Sequence, residues 1–208
     1  MFGGIYLKPI VIALYGKSAS GKDRTAKRLT KAYQKMGVPV NNIVSYTTRP
    51  PREGEVDGVD YHFVDVDTFV DMKYKNKFIE SMEFRGWRYG TSFDSFKRDC
   101  INICVMDPKG IRDLSAYYAL TYNIEFFYLD VPLHIRLLRS IKREHKFKFE
   151  YLRRAFVDWI DFDDFFYDIH PIGYHHLKYN SKDDNNFVNK IMDTDYLIYS
   201  ANELKRIV

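Results

Sequence analysis

The sequence predicts an α/β protein built on an open, mostly parallel sheet flanked by helices, and three observations carry that expectation. Ile10-Val11-Ile12-Ala13-Leu14-Tyr15 is an apolar run of strand length, and the glycine-rich segment Gly16-Lys17-Ser18-Ala19-Ser20-Gly21-Lys22 follows it at once. A helix-forming stretch free of proline and glycine comes next, over 23–35. Two later runs, 101–106 and 124–129, are mostly apolar and end in Asp107 and Asp130. Such runs, alternating with helical segments, are the pattern of parallel strands buried on both faces.

The segment from Gly16 to Lys22 reads as a phosphate cradle, the loop of a P-loop NTPase-type sheet. Its glycines let backbone N–H groups close around phosphate oxygens, Lys22 reaches the outer phosphates, and the next helix presents its positive N-terminus. Asp23 stands where a Ser or Thr usually follows the lysine. In the helix, Ala26, Leu29, Ala32 and Tyr33 fall at helical spacing, and Gly37 supplies a stop. A second strand is expected over 42–48, ended by Arg49-Pro50-Pro51-Arg52 because proline cannot continue a central ladder. A polar loop over 54–58, a short strand over 61–64, a helix over 66–74 and an extended pair around Gly86 over 83–91 follow. Helices are expected over 133–143 and 150–166, a last core strand over 175–180 and a helix over 187–192. Residues 193–208 receive no assignment. Ligands of open α/β sheets bind beyond the carboxyl ends of the strands, where the cradle, Asp107 and Asp130 emerge. The polar stretch 45–93 would overhang that crevice.

At 208 residues, 46% hydrophobic and 17% aromatic, the chain suits one domain with a packed core. No apolar stretch approaches the ~20 residues of a membrane span, and the apolar segment in 1–10 is too short for a secretion signal, so a cytoplasmic location is expected. Cys100 and Cys104 lack a CxxC pairing or histidine partners and read as buried thiols. The net charge is +4, but acids and bases are interleaved, which favours small anionic ligands over nucleic acid. The densest basic stretch, 136–154, reads by position alone as a solvated helix face. The acids and aromatics of 157–174, among them Asp161, Asp163, Asp164 and Phe165, read as an acidic helix face over a core stripe.

The stretch Ser45-Tyr46-Thr47-Thr48-Arg49-Pro50-Pro51-Arg52-Glu53-Gly54-Glu55-Val56-Asp57-Gly58-Val59-Asp60-Tyr61-His62-Phe63-Val64 resembles the monophosphate-binding segment of guanylate kinases. Phe78-Ile79-Glu80, Trp87-Arg88-Tyr89-Gly90-Thr91 and Met106-Asp107-Pro108-Lys109-Gly110 follow at family-like spacing, and with the cradle the likeness runs from about Val11 to Asn180. The resemblance implies one domain over 1–208, with a core of about 8–44, 96–135 and 170–208. An inserted nucleoside-monophosphate-binding lobe would span about 45–95 and a helical lid about 136–169.

The resemblance assigns the loop from Gly16 to Asp23, together with Asn180, to ATP. It makes Arg49, Arg52, Tyr61 and Tyr89 the grip on the acceptor phosphate, with Glu55 and Gly90 in the same site. A guanidinium can hold a dianionic phosphate bidentately, and each such charge-assisted bond contributes ~1.5–3 kcal/mol. Ser45, Glu80 and Thr91 would read the base: guanine offers two neighbouring donors, N1–H and the N2 amino group, that one carboxylate can accept. A buried reader left unpaired by the wrong base discriminates by roughly 10⁴. Asp107 matches the second acid of a family Asp-x-Asp pair whose first position is Val105 here, and its partner is left open among the guanine amino group, Arg49 and the waters of a metal.

The implied reaction moves the γ-phosphoryl of ATP to GMP or dGMP. Lys22 would hold the donor phosphates, while Arg139, Arg143 and Arg154 would close over the transferred group. Mg²⁺ is the expected cofactor, with Asp23 as its ligand, since Mg²⁺ favours carboxylate oxygens. ATP and GMP or dGMP are the expected partners, with no nucleic acid or membrane. A kinase for another deoxynucleotide or a sugar phosphate, and a protein-binding module that has lost catalysis, remain as alternatives. The presence of Glu80 and Tyr89 argues against the sugar, and that of Lys22 and the basic run against the module.

Overall fold

The computed structural model describes residues 10–84, 86–118, 122–144, 149–168, 174–181, 183 and 186–207. Strand β1 (Ile10–Tyr15) leads into α1 (Lys22–Lys35), β2 (Val40–Asn42) and β3 (Tyr46–Thr47). Next come β4 (His62–Phe63), α2 (Val66–Tyr74), β5 (Phe78–Phe84), β6 (Trp87–Ser92) and β7 (Ile101–Val105). The remainder is α3 (Pro108–Tyr118), β8 (Asn123–Asp130), α4 (Leu133–Glu144), α5 (Glu150–Asp168), β9 (Tyr174–Lys178), α6 (Asn186–Met192) and α7 (Asp195–Ile207).

The main sheet has five strands in the order β2-β7-β1-β8-β9, and each neighbouring pair is parallel. Central β1 is buried along its whole length, which is why its six residues show no polar alternation. Its side chains divide by parity. Ile10, Ile12 and Leu14 join a core with Leu29 and Tyr33 of α1, Ile191 of α6 and Leu197 of α7. Val11, Ala13 and Tyr15 join the opposite core with Ile111 and Leu114 of α3 and Phe162 of α5. Helices therefore cover both faces, and the carboxyl ends of β1 and β7 open onto one crevice. Both cysteines are buried and unbridged.

The expected strand over 42–48 is two strands in two sheets. β2 pairs with β7 in the main sheet, whereas β3 pairs with β4 and β6 in a second sheet ordered β4-β3-β6-β5. Ile43 still donates its N–H to Ile103 O at 2.8 Å, so the crossing takes place over 44–45. Ser45 is thereby placed at the junction of the two sheets.

The pair expected around Gly86 begins earlier, at Phe78, and Gly86 turns it with φ +74°. An irregularity between Phe78 and Glu80 sets Glu80 directly opposite Thr91. Helix α3 had no sequence assignment. Pro108 suits a first helical position, and Asp107 Oδ1 accepts the Gly110 N–H at 2.7 Å as its cap, but Gly110 in the first turn blurs the local signal. The unassigned tail forms α7, whose Leu197, Ala201 and Leu204 are buried at helical spacing. Among the described residues no helix is long and apolar enough to cross a membrane.

Candidate active site

The glycine-rich loop leaves the carboxyl end of β1 in a conformation that demands its glycines. A Cβ on Gly16, at φ +153°, would lie 2.8 Å from Leu129 O. Gly21 is left-handed at φ +98° and caps α1, which has no side-chain cap, so the first amides of the helix face the loop. Ala19 shares the left-handed region at φ +61°. Lys22 folds over the loop and donates Nζ to Gly16 O at 2.6 Å. Burial pushes its ammonium below the ordinary pKa, while Asp23 and Asp158 pull the other way. Asp23 is exposed in the first turn of α1.

Two cavities meet at Asp23. One, of about 330 Å³, runs from Gly16, Ser18 and Lys22 to Ser45, Glu80, Tyr89 and Asp107. The other, of about 340 Å³, is lined by Arg49, Arg52, Glu55, Tyr61 and Tyr89 and shares Asp23 and Ser45. In it Arg49 is only 8% exposed. Arg49 donates Nη2 to both Glu55 carboxylate oxygens at 2.9 Å and Nη1 to Pro50 O at 2.8 Å. Its guanidinium lies 5.4 Å from the Tyr61 ring centre and 5.8 Å from that of Phe63. Glu55 also accepts the Arg52 N–H at 2.7 Å. Burial raises its pKa, but the Arg52 amide and the Arg49 guanidinium outweigh it and hold the carboxyl below its usual range. Glu55 is thus an anion that holds the Arg49 guanidinium and the Arg52 backbone amide, a role its sequence spacing did not disclose.

Ser45, Glu80 and Thr91, far apart in sequence, form one chain of hydroxyls and carboxylate. Thr91 donates Oγ1–H to Glu80 Oε1 at 2.8 Å, which leaves its oxygen to accept from Ser45 Oγ at 3.0 Å. Desolvation raises the Glu80 carboxyl to about 7, with Thr91 opposing and Asp107 adding to the shift. Asp107 spends one oxygen capping α3. Gly90 is required by packing: a Cβ there would meet the Phe78 ring at 2.9 Å and Glu80 O at 3.1 Å.

A third cavity of about 240 Å³ lies behind the loop, between Ser20, Gly21, Arg24, Arg139, Tyr179 and Asn186. Arg139 donates Nη1 to Ser20 O at 2.9 Å, and its guanidinium sits 5.0 Å from the Tyr179 ring centre. Asn180 is exposed just beyond β9, and from that segment Tyr179, Asp183 and Asn186 form the wall. Arg154 is half-buried on α5, while the Arg143 side chain lies outside the described residues.

The basic run is not merely a solvated face, because Arg136 is 7% exposed and pairs with Asp158 at 2.9 Å. The acidic-face reading of 157–174 likewise fails at Asp158, which is buried, although Phe162 does pack in the core. The side chains of Asp161, Asp163, Asp164 and Phe165 lie outside the described residues.

The family model for guanylate kinase matches residues 6–152 of the chain. The chain belongs to the guanylate kinase family. Guanylate kinase of Schizosaccharomyces pombe is 39% identical over 114 residues, covering 53% of this chain and 54% of that protein. Guanylate kinase of Nitratidesulfovibrio vulgaris is 43% identical over 111 residues, covering 51% and 52%. The chain thus matches about half the length of these curated guanylate kinases. The crystal structure of guanylate kinase from Anaplasma phagocytophilum superposes with a TM-score of 0.63 at 18% identity, covering 94% of this chain and 87% of that one. That likeness shows a shared fold, the P-loop sheet flanked by helices.

Proposed function

We propose that the chain is an ATP-dependent kinase that phosphorylates GMP or dGMP. One observation carries the reading: a single cavity joins the Lys22 loop to the Ser45, Thr91 and Glu80 cluster. A purine monophosphate with guanine on Glu80 and its phosphate between Arg49, Arg52, Tyr61 and Tyr89 would present that phosphate toward Lys22. An acceptor phosphate oxygen then attacks the γ-phosphorus of ATP, and the bond to the β,γ-bridging oxygen breaks. The products are ADP and a nucleoside diphosphate. Such transfer needs little covalent chemistry from the protein; it needs donor and acceptor held in line and charge neutralised.

In this reading 45–95 is the acceptor lobe and 136–169 the lid. Lys22 and the loop amides hold the donor phosphates, and the cavity between Arg24, Arg139 and Tyr179 takes the nucleoside end of the donor. The resemblance assigns Arg139, Arg143 and Arg154 to the transferred group; of these, Arg139 lies between that cavity and the loop, on Ser20 O. Asp23, an exposed carboxylate where the two cavities meet, would hold Mg²⁺, which favours carboxylate oxygens. Bound there, Mg²⁺ would neutralise phosphate charge. The reading places the protein in the cytoplasm with small-molecule partners, and no nucleic acid or membrane.

The test is ADP release from ATP and Mg²⁺ with GMP, dGMP, AMP, dAMP, CMP, UMP and dTMP, against Lys22→Ala as blank. Lys22-dependent turnover confined to GMP and dGMP is expected. Turnover with another monophosphate, or none with any, overturns the reading.

A further inference from the structure

The Asp158 carboxylate lies directly on the glycine-rich loop. Ser18 donates its backbone N–H to Oδ2 at 2.9 Å and its hydroxyl to Oδ1 at 2.9 Å, across 140 residues of sequence. Arg136 Nη1 donates to the same Oδ2 at 2.9 Å and also to Ser18 O at 3.2 Å, while its Nε holds Val131 O at 3.1 Å. The Asp158 side chain is 12% exposed and that of Arg136 is 8%. Packing does not by itself require an acid here, because Phe162, one turn further along α5, anchors the helix in the core. A loop shaped to give N–H and O–H donors to anionic oxygens is therefore already giving them to one.

We propose that Asp158 is an internal occupant of the phosphate loop, taking the Ser18 donors until a polyphosphate displaces the carboxylate. The inference takes from the proposed function only the loop's role as a polyphosphate site. A triphosphate entering the loop would bring its charge against Asp158 and against Asp23, so carboxylate and phosphate compete for the same donors. Like charges at contact distance in a partly desolvated site repel strongly. Release of Asp158 also strips Arg136 of its counter-ion, and an incoming phosphate oxygen replaces it. Displacement of the acid and supply of the cation are then one event. The apparent affinity for polyphosphate is reduced by the fraction of molecules in which the contact is closed.

The probe is inorganic tripolyphosphate, titrated calorimetrically into the full chain without nucleotide. Asp158→Ala is expected to bind it about tenfold more tightly than the wild type, as removal of a closed state predicts. Asp158→Asn, which keeps an acceptor for the Ser18 N–H but no charge for Arg136, should fall between. Equal or weaker binding by a folded Asp158→Ala overturns the proposal, because a purely structural contact would weaken the loop when cut. Carboxyl NMR on the wild type is a second test: tripolyphosphate should move the Asp158 carboxyl resonance toward that of a solvated aspartate as Ser18 and Arg136 leave it. A resonance that stays in place overturns the proposal. GMP plays no part in these measurements. GMP turnover with an unresponsive Asp158 would remove the inference and leave the kinase reading, whereas a responsive Asp158 without turnover on any monophosphate would do the reverse.

Discussion

Thr91 donates its hydroxyl to Glu80 Oε1 at 2.8 Å, and the irregularity between Phe78 and Glu80 that sets these residues opposite each other also aims the carboxylate into the cavity facing Lys22. A buried carboxylate whose pKa is pushed to about 7 is mostly ionised only above neutral pH. Guanine recognition requires the ionised form, which alone accepts from both N1–H and the amino group. GMP affinity should therefore fall with acidification, to about a tenth at pH 6 of its value at pH 8.5. Glu80→Gln should lose this pH step and relax base choice while keeping the fold. Competition between GMP and AMP across the pH range decides it, and an undiminished guanine preference in the variant would sink the assignment. The folded pKa lies above the unfolded 4.5, so this group's contribution to stability is present at low pH and lost as pH rises through about 7.

Arg49 is paired with Glu55 where the proposed acceptor phosphate would bind. Glu55→Gln should lower stability by about 1–3 kcal/mol, since the buried guanidinium loses its anion. GMP should then raise the melting temperature of the variant more than that of the wild type, because its dianion supplies the missing charge. Equal shifts in differential scanning calorimetry would show that Arg49 does not grip the acceptor.

Arg139 touches the loop through Ser20 O and stacks on Tyr179. Arg139→Ala should lower kcat by about 10³, in the range of arginines that stabilise a transferring phosphoryl, with little change in the KM for GMP. A rise in KM for GMP at unchanged kcat would move Arg139 out of the transfer step.

Gly90→Ala should destabilise the protein by about 1–3 kcal/mol, because its Cβ would meet the Phe78 ring at 2.9 Å. Urea unfolding should show a lower midpoint at unchanged slope, and GMP affinity should weaken as β5 and Glu80 are pushed aside. Unaltered stability would mean that the ring gives way freely.

Much of the fold was legible in local pattern. The apolar run of β1, the glycines of the loop and the helical spacing of Ala26, Leu29 and Tyr33 each report a short-range steric or burial requirement. Glu80, Ser45 and Thr91 were legible only through resemblance, since a lone glutamate after Phe78 and Ile79 carries no local sign of its burial. Helix α3 was missed because Gly110 in its first turn weakens its propensity. That glycine leaves room for Asp107 and Glu80: a Cβ there would lie 3.3 Å from Asp107 Oδ1 and 3.4 Å from Glu80 Cγ.

From the chain alone came the parallel sheet, the glycine-rich loop and the family to which they belong, because strand burial and loop geometry follow from a few consecutive residues. Folding in three dimensions added what consecutive residues cannot encode. It split 42–48 between two sheets, turned Glu55 into the partner of Arg49, and set Asp158 on Ser18 from 140 residues away. A charge reads as surface until its partner is known. Only packing two helices against the loop brings Arg136 and Asp158 together, in surroundings dry enough for the pairing to matter.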